Sequence, residues 1–306
     1  MGDARARVRP PSTRSAAALV VAALALPAAP RAIAEEPRVA RIGFLADEAT
    51  PESGPVLRRT LRDLGWVEGQ NVKTWYRYAQ GKLALFPGHA DELRGIGVHV
   101  LVAAGSPAIE AARRGTTTVP IVVATTDDPV ANGLVASASR PGGNLTGVSL
   151  FVPELAQRRL ELLKQALPRA ARVAVLWNPS NPTEFRSALK RLREQDADAL
   201  LVLADTVAVT RRSDLAVFAA KSRLPAVYPL GEFVDAGGLL AYGPTWIEAF
   251  HRMAGLVDRI LRGARPMELA VERPTRFELL VNLHAAKGLG LAIPSSLLTR
   301  ADRVIQ

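Results

Sequence analysis

The chain has 306 residues, of which 48% are hydrophobic, 22% charged and 5% aromatic, a balance typical of a folded protein long enough for two domains. This composition excludes a disordered chain, a collagen and a coiled coil. The scarcity of aromatic residues predicts a core of Ala, Val and Leu, as in parallel sheets covered by helices. The sequence has no cysteine, which excludes disulfides, thiol nucleophiles, Cys-ligated zinc and a lipidated cysteine anchor.

The net charge of +10 resembles that of a nucleic-acid-binding protein until the charges are located. Residues 1–34 contain five arginines and a single acidic residue, so the rest of the chain carries 34 basic and 28 acidic residues. That is an ordinary surface balance. We therefore predict no nucleic-acid partner.

The N-terminal segment has the layout of a secretory signal. An arginine-bearing start is followed by the apolar run 16–26 and by the small-residue site Ala32-Ile33-Ala34. The apolar run is too short to span a bilayer. We predict cleavage after Ala34 and a periplasmic or other extracytoplasmic protein without a lipid anchor. The alternative is a disordered or weakly amphipathic terminus.

From Arg38 onward, short apolar β-rich runs alternate with helical patterns, which is typical of a doubly wound parallel α/β sheet. This pattern predicts a first lobe over 38–150. Its strands are expected near 39–45, 72–78, 98–103, 120–124 and 145–150. Its helices are expected near 53–64, 84–95, 107–114 and 130–138.

The pattern then restarts, which predicts a second, smaller α/β lobe over 151–243. An amphipathic helix is expected over 153–166, and strands are expected near 172–177, 199–203 and 225–228. A helix near 245–262 and a strand near 277–282 follow, and these are compatible with either lobe. We assign part of 245–272 to the first lobe and part of 273–306 to the second.

The sequence carries no recognisable catalytic or cofactor motif. Four histidines show no HExxH spacing, so we expect surface or packing roles for His89, His99, His251 and His284. Ser106 lacks the surroundings of a nucleophile elbow and is interpreted as the N-cap of a helix. No dinucleotide fingerprint or phosphate-binding loop is present. We predict a protein that is not an enzyme and has no metal or cofactor.

Polar residues stand where the predicted strands end. Ser106 follows the third strand, Thr126 and Asp127 follow the fourth, and Asn178 and Asp205 follow strands of the second lobe. In doubly wound sheets, ligands bind at the carboxyl ends of the strands. Each residue alone is explained as a helix cap. Together they predict a binding cleft between the lobes.

Several stretches spread over nearly all of the chain after Ala34 resemble one family. These are Arg41–Phe44, Leu61–Asn71, Asp127–Val135, Arg140–Gly147, Val175–Pro179, Tyr242–Pro244 and Pro274–Glu278. They resemble the extracytoplasmic solute-binding proteins of ABC transporters, in the group with tryptophan- and tyrosine-binding members. The resemblance implies a type I periplasmic binding fold with a multi-crossing hinge. It also implies a monomer that binds its solute unchanged and delivers it to a permease and its ATPase in the inner membrane.

The resemblance implies how an amino-acid-like ligand meets the first lobe. Ser106 and Thr126, with nearby backbone N–H groups, would hold the ligand carboxylate, and Asp127 or Asp128 would take its ammonium group. An alternative for the acidic pair is that Asp128 caps a helix begun at Pro129 while Asp127 is solvated.

Residues of the second lobe and of the hinge complete the implied site. Asn178, Asp205 and Tyr242 would close on the ligand from the other side. Thr146 and Gly147 would lie by the first hinge crossing, which needs small or extended residues.

The chain departs from the family between the Asn-Pro motif and strand 199–203. Family members usually have two helices with a strand between them there, whereas residues 181–198 leave room for one helix. We predict a second lobe that is one β-α unit short, with strand 173–177 at its edge, lower stability than full-length relatives and a tendency to associate. The alternative is that a loop or the C-terminal segment covers this edge.

Other functions compatible with the fold are an exported hydrolase or sugar-modifying enzyme, a DNA-binding regulator and a sensory partner that presents ligand to a receptor. A regulator would carry a helix-turn-helix where this chain has its apolar N-terminal run. The residues do not identify the solute. Aromatic amino acids are what the resemblance suggests.

The predicted signal can be tested on the exported protein. We expect mass spectrometry of the mature N-terminus to show a chain that begins at Glu35, because the small-residue site ends at Ala34. A cytosolic product that retains Met1 would contradict both export and the transport function.

Overall fold

The computed structural model describes residues 39–48, 53–177 and 182–306. The predicted α/β class with two lobes is confirmed, since these residues form two β-sheets with helices on their faces. The predicted signal segment lies outside the described residues. Within the ranges given above, no helix combines the length and the apolar character needed to cross a membrane.

The first sheet contains five parallel strands in the order β2-β1-β3-β4-β5. They are β1 (Ala40–Ala46), β2 (Val72–Tyr78), β3 (Val100–Ala104), β4 (Ile121–Thr125) and β5 (Leu145–Ser149). The helices between them are α1 (Gly54–Asp63), α2 (Phe86–Gly95, after the 3-10 turn Leu83–Leu85) and α3 (Ser106–Gly115). Strands β1, β3, β4 and β5 are buried on both faces, as expected for a parallel sheet between helical layers, whereas the edge strand β2 is mostly half-buried.

The second sheet has six strands in the order β11-β10-β9-β8-β7-β6, and β10 is antiparallel to β9. Its strands are β6 (Val173–Leu176), β7 (Ala199–Val202), β8 (Ala226–Tyr228), β9 (Leu240–Gly243), β10 (Glu278–Asn282) and β11 (Arg303–Ile305). Its helices are α4 (Leu155–Ala166), α5 (Pro182–Glu194), α6 (Thr206–Thr210), α7 (Arg212–Lys221), α8 (Glu232–Asp235), α10 (Leu283–Gly288) and α11 (Ser295–Leu298).

The chain passes between the sheets three times. It leaves the first sheet after β5, returns in the long helix α9 (Trp246–Leu261), makes the 3-10 turn Pro266–Glu268 and enters the second sheet again at β10. Helix α9 packs on β3, β4 and β5 and against α1, so a segment that follows the second lobe covers one face of the first.

The predicted hinge residues lie inside β5, beside the third passage. The Thr146 hydroxyl donates to the Leu269 carbonyl at 2.7 Å, and the Glu272 amide donates to the Gly147 carbonyl at 2.8 Å. A Cβ atom at Gly147 would lie 2.1 Å from the carbonyl oxygen of Val123. The crossing chain therefore packs against β5 without room for a larger residue, and a hinge role for this pair stays a prediction.

The helix predicted over 130–138 is wrong. The carboxylate of Asp128 accepts hydrogen bonds from the amides of Val130 and Ala131, which starts one turn. Gly133 then adopts a φ of 64°, in the left-handed region that ends a helix. Instead of continuing, the chain turns, and Val135 is buried in the core beneath the first sheet.

Strand β6 is the edge of the second sheet, as predicted. In the first sheet, the corresponding strand β1 has β2 on its outer side. No described strand pairs with β6 on its outer side. Val175 is 55% exposed and Trp177 is 70% exposed, so the apolar side chains of this edge face solvent. That the lobe lacks one β-α unit relative to its family stays a prediction.

We expect hydrogen exchange to distinguish the two equivalent strands. Amides at 173–177 should exchange faster than those at 40–46, because β6 has a neighbour on one side and β1 on both. Exchange measured by mass spectrometry on a demonstrated monomer checks this. Equal protection of the two strands would mean that another segment covers the edge.

Candidate functional site

A cavity of about 180 Å³ lies at the carboxyl ends of the strands of both sheets. The first lobe lines it with residues that follow β1, β3 and β4, the second lobe with residues of α6, α7 and α8, and α9 with two aromatic residues. The residues that line the cavity include Ala46, Asp47, Glu48, Gly105, Pro107, Thr126, Val209, Thr210, Arg212, Glu232, Trp246 and Phe250. The predicted interlobe cleft is therefore present.

Ser106 does not cap helix α3, contrary to the expectation from sequence. Gly105 is the N-cap residue, with a φ of 85° that only glycine adopts without strain, and Ser106 is the first helical residue. The Ser106 hydroxyl donates instead to the carboxylate of Asp127, in a short hydrogen bond. The two predicted ligand residues therefore contact each other, and Asp127 lies at the N-terminus of α3, where the helix dipole favours a negative charge.

The two acidic residues after β4 have different roles. Asp128 caps the turn that begins at Pro129, with amide contacts of 2.9 and 3.2 Å, as the alternative interpretation of the sequence expected. Asp127 is half-buried and bonded to Ser106 rather than solvated. Its own amide donates to the Thr125 hydroxyl at 3.0 Å, which fixes the loop next to the cavity. Thr126 is 3% exposed and lines the cavity.

On the second lobe, Asp205 follows β7 and is the N-cap of α6. Its Oδ1 atom accepts a hydrogen bond from the Ala208 amide at 2.8 Å. The residue is 7% exposed, and its Oδ2 atom has no hydrogen-bond partner among the residues that the structure describes. A buried carboxylate oxygen without a donor costs free energy, so this atom requires an explanation beyond capping.

The environment of Asp205 raises its pKa to about 6. Burial is the main cause, and the negative charge of Asp127 adds to it, while the backbone N–H groups of Ala208 and Val207 act in the opposite direction. Perturbed acidic groups in a cleft are typical of functional sites.

An aromatic wall closes the cavity on the side of α9. Phe250 lies 6.0 Å from Phe44 and 5.9 Å from Trp246, measured between ring centroids, and Phe44 contacts Tyr76 and Tyr78. Sequence analysis missed this wall. The signal available was Trp246 and Phe250 one helical turn apart at the start of an amphipathic helix, a pattern that core packing produces equally well.

The rim of the cavity is mainly acidic. Asp47 and Glu48 come from the first lobe, and Glu232 and Arg212 from the second. Arg212 and Glu48 approach to 3.4 Å and form an ion pair across the cleft. Both side chains are partly exposed, so this pair contributes little to stability but joins the two rims in the present conformation.

Among the predicted ligand residues that the structure describes, only Thr126 lines the cavity. The lining lacks Ser106, Asp127, Asp128, Asp205 and Tyr242. The Tyr242 ring packs 6.2 Å from Phe277 beside the cluster formed by α4, α10 and the second sheet, and Tyr242 is absent from the cavity lining. Its carbonyl accepts a 2.7 Å hydrogen bond from buried Arg159. Asn178 lies outside the described residues.

Two of the four histidines make packing contacts. The Nδ1 atom of His99 accepts from the Arg41 amide at 3.2 Å, and Nδ1 of His251 lies 2.6 Å from the Thr60 hydroxyl, joining α9 to α1. Neither is part of the cavity lining.

Comparison with known proteins shows the family of this chain. A family model described as ABC transporter substrate binding protein matches residues 39–193 and 180–305. A tyrosine-binding protein of Clostridioides difficile is 23% identical over 261 residues, which cover 76% of this chain and 75% of that protein.

Two solved structures are similar over most of the chain. A conserved domain protein from Vibrio cholerae is 26% identical with a TM-score of 0.77, and covers 87% of this chain and 100% of its own. An ABC domain from Streptococcus pneumoniae, solved in complex with L-Trp, is 22% identical with a TM-score of 0.74, and covers 87% of this chain and 99% of its own.

The buried carboxylate of Asp205 predicts a pH-dependent stability. Its folded pKa of about 6 lies above the ordinary value, so the folded state binds this proton more tightly than the unfolded state does. The contribution of Asp205 to the free energy of unfolding is therefore fully present below about pH 4. It falls by about 2–3 kcal/mol as the pH rises through 6.

The Asp205→Asn variant should therefore be more stable than the parent at pH 7.5, because the amide keeps the oxygen that caps α6 and removes the buried charge. The difference should shrink at pH 4. Denaturant unfolding of both proteins at the two pH values measures it. A variant that is less stable at pH 7.5 would show that the carboxylate is satisfied in the folded protein.

Proposed function

We propose that this chain captures a small amino-acid-like solute in the cleft between its lobes. The chain belongs to the substrate-binding proteins of ABC transporters, which is the premise of this proposal. The solute is then delivered, chemically unchanged, to the permease and ATPase of an importer. The observation that carries this proposal is the cavity itself, which is lined by both lobes at the carboxyl ends of their strands.

A cleft lined from two sides suits capture and release. A solute in the cavity contacts Thr126 of the first lobe and Val209 of the second at once, so its binding energy favours the arrangement in which the lobes approach each other. Three chain passages connect the lobes and restrict their motion to a hinge. The volume of about 180 Å³ fits a molecule smaller than drug-sized ligands, for which about 300 Å³ or more is usual.

The lining supports a solute with an apolar body and polar ends. Trp246 and Phe250 offer apolar surface, and the Thr126 hydroxyl offers a contact for a carboxylate. Asp127 follows Thr126 in the chain without being part of the lining, and it is the group that the resemblance implies for an ammonium. The named relatives bind tyrosine and tryptophan, and an aromatic amino acid is compatible with this lining.

One observation favours an enzyme as the second candidate. Asp205, a buried carboxyl group that follows a strand of the second lobe, has a pKa raised to about 6, chiefly by burial and in part by the charge of Asp127. An exported hydrolase or a sugar-modifying enzyme would need a titratable pair in the cleft. We favour binding over catalysis, because both carboxylates already make structural hydrogen bonds. Oδ1 of Asp205 caps a helix, and Asp127 accepts from the Ser106 hydroxyl.

For the cellular setting we propose an extracytoplasmic monomer, exported by the N-terminal segment and working with membrane-embedded transport subunits. A sensory role, in which the loaded protein is presented to a receptor, uses the same cleft. A strain that lacks the protein separates the two roles. Loss of solute uptake without loss of signalling would support transport, and the reverse would support the sensory role.

A ligand screen tests the proposal. We expect at least one amino acid or close analogue to raise the unfolding free energy by about 2.7 kcal/mol at 100 times its Kd, because it binds the folded state alone. Thermal shift identifies the ligand, and mass spectrometry after prolonged incubation should recover it unchanged. Chemical conversion of the ligand would establish an enzyme instead. The absence of a thermal shift with every amino acid and small organic acid would contradict an amino-acid-like solute.

A further inference from the structure

We infer that the free edge of the second sheet is a pairing surface for a second copy of this chain, in which β6 of one copy lies antiparallel to β6 of the other. The pairing is centred on Val175 and joins the second sheets of the two copies into one continuous sheet. It does not depend on the proposed function, since no described residue that lines the cavity belongs to β6. The monomer proposed above is the species at low concentration, and the pair forms as the concentration rises.

One face of β6 is covered and the other is open. Leu176 is 4% exposed and belongs to the same core cluster as Phe185 and Leu192 of α5. Val175 and Trp177, the residue after β6, point to the opposite face, because side chains alternate along a strand. These two apolar side chains are 55% and 70% exposed. Burying them against another molecule would stabilise the contact by the hydrophobic effect.

The backbone of the same residues points to the free edge. The Leu176 carbonyl accepts from the Leu203 amide at 3.0 Å, so the backbone groups of Leu176 are directed toward β7. The N–H and C=O groups of successive residues in a strand point to opposite sides, so those of Val173, Val175 and Trp177 are directed away from β7. Such a row of outward backbone groups is a template for pairing with another strand.

The other sheet edges carry features that oppose pairing, and β6 does not. Strand β2 contains the charged residues Lys73 and Arg77. Strand β5 is covered by the third passage of the chain, where the Ser149 amide donates to the Glu272 carbonyl at 2.9 Å. Strand β11 is three residues long and begins with the charged Arg303. Charges, shortness and covering segments are the usual protections of an edge strand, so β6 is the edge best suited to pairing.

No described segment of the chain occupies the β6 edge. The last strand, β11, pairs with β10 at the opposite edge of the same sheet. Three ranges of the predicted mature chain lie outside the described residues, namely 35–38, 49–52 and 178–181, and each has four residues. None of these ranges is long enough for a turn and a strand that pairs with 173–177 along its whole length. Full pairing of this edge therefore requires a strand from another molecule.

The strand is complementary to itself when two copies run antiparallel about Val175. Val175 then lies opposite Val175 of the second copy and Val173 lies opposite Trp177, so every outward backbone group meets a partner. The same register places each Trp177 side chain against a Val173 side chain on the open face, a favourable aromatic–β-branched contact. Residues 173–177 carry no charge, so the register opposes no like charges. The contact is two-fold symmetric and therefore closes at two copies.

Sedimentation equilibrium of the mature chain over a concentration series tests the pairing. We expect the mass to rise from that of one chain toward that of two. Val175→Lys should raise the Kd of the pair at least about 10-fold, because it places two like charges directly opposite each other. Its melting temperature at low concentration should equal that of the parent, since Val175 is already exposed. Val217→Lys is the matched control, because it makes the same change at an exposed position of α7 in the same lobe, and its Kd should equal that of the parent.

Cysteine variants test the register, because the sequence has no cysteine of its own. In the proposed pair the two Cα atoms at position 175 lie about 5.5 Å apart, within the range that a disulfide spans. We expect air oxidation to give a covalent dimer of Val175→Cys and to leave Val217→Cys monomeric. Val173→Cys mixed with Trp177→Cys should form the mixed disulfide. Val173→Cys alone should not cross-link, since its two copies are about 14 Å apart along the strands.

Each outcome decides. A parent chain that stays monomeric at its highest soluble concentration, with no cross-link in Val175→Cys, overturns the inference and leaves solute capture standing. A dimer that Val175→Lys does not weaken and Val175→Cys does not cross-link has its contact elsewhere, which overturns the inference as well. Assemblies larger than two copies also contradict it, because the pair leaves no β6 edge free. If Val175→Lys fails to fold, the cross-links decide.

Discussion

The packing of helix α9 against the first sheet is the interaction on which the rest of the molecule depends. Seven of its residues are buried, including Phe250, Met253 and Val257, and they cover the face of β3, β4 and β5. The helix begins with an N-cap, in which the Thr245 hydroxyl accepts from the Glu248 amide, so its first turn is fixed where the chain leaves the second lobe. The buried face of α9 therefore completes the core of the first lobe. The same helix places Trp246 at the cavity.

The meeting of polar loops from both lobes at the cleft follows from the parallel sheets themselves. Parallel strands direct all their carboxyl ends to one edge, so polar loops of both lobes meet there. Asp127 is stabilised by Ser106 at a helix N-terminus, whereas Asp205 is buried with an oxygen that no described residue satisfies. Burying Asp205 in this way costs free energy of folding.

The contrast between Ser106 and Asp128 shows how far site prediction from sequence reaches. Both were recognised as polar residues after strands, and both were compatible with capping. Asp128 does cap its turn, but Ser106 bonds to Asp127, twenty-one positions away, because Gly105 takes the cap with a positive φ. Local propensity allows both outcomes, and the choice depends on which loop the neighbouring strand brings alongside. The pairing of β3 with β4 makes that choice.

The sequence by itself determined the α/β class, the first five strands and the two lobes, because period, glycine and proline placement and segment length are local properties. The edge position of β6 was predicted from the departure of the chain from its family rather than from local pattern. Only the tertiary structure decided that Asp127 and Asp205 act on each other, that Trp246 and Phe250 face the cavity, and that Tyr242 packs elsewhere. These are facts about residues distant in sequence, and burial and charge at such sites arise from the whole fold rather than from neighbours along the chain.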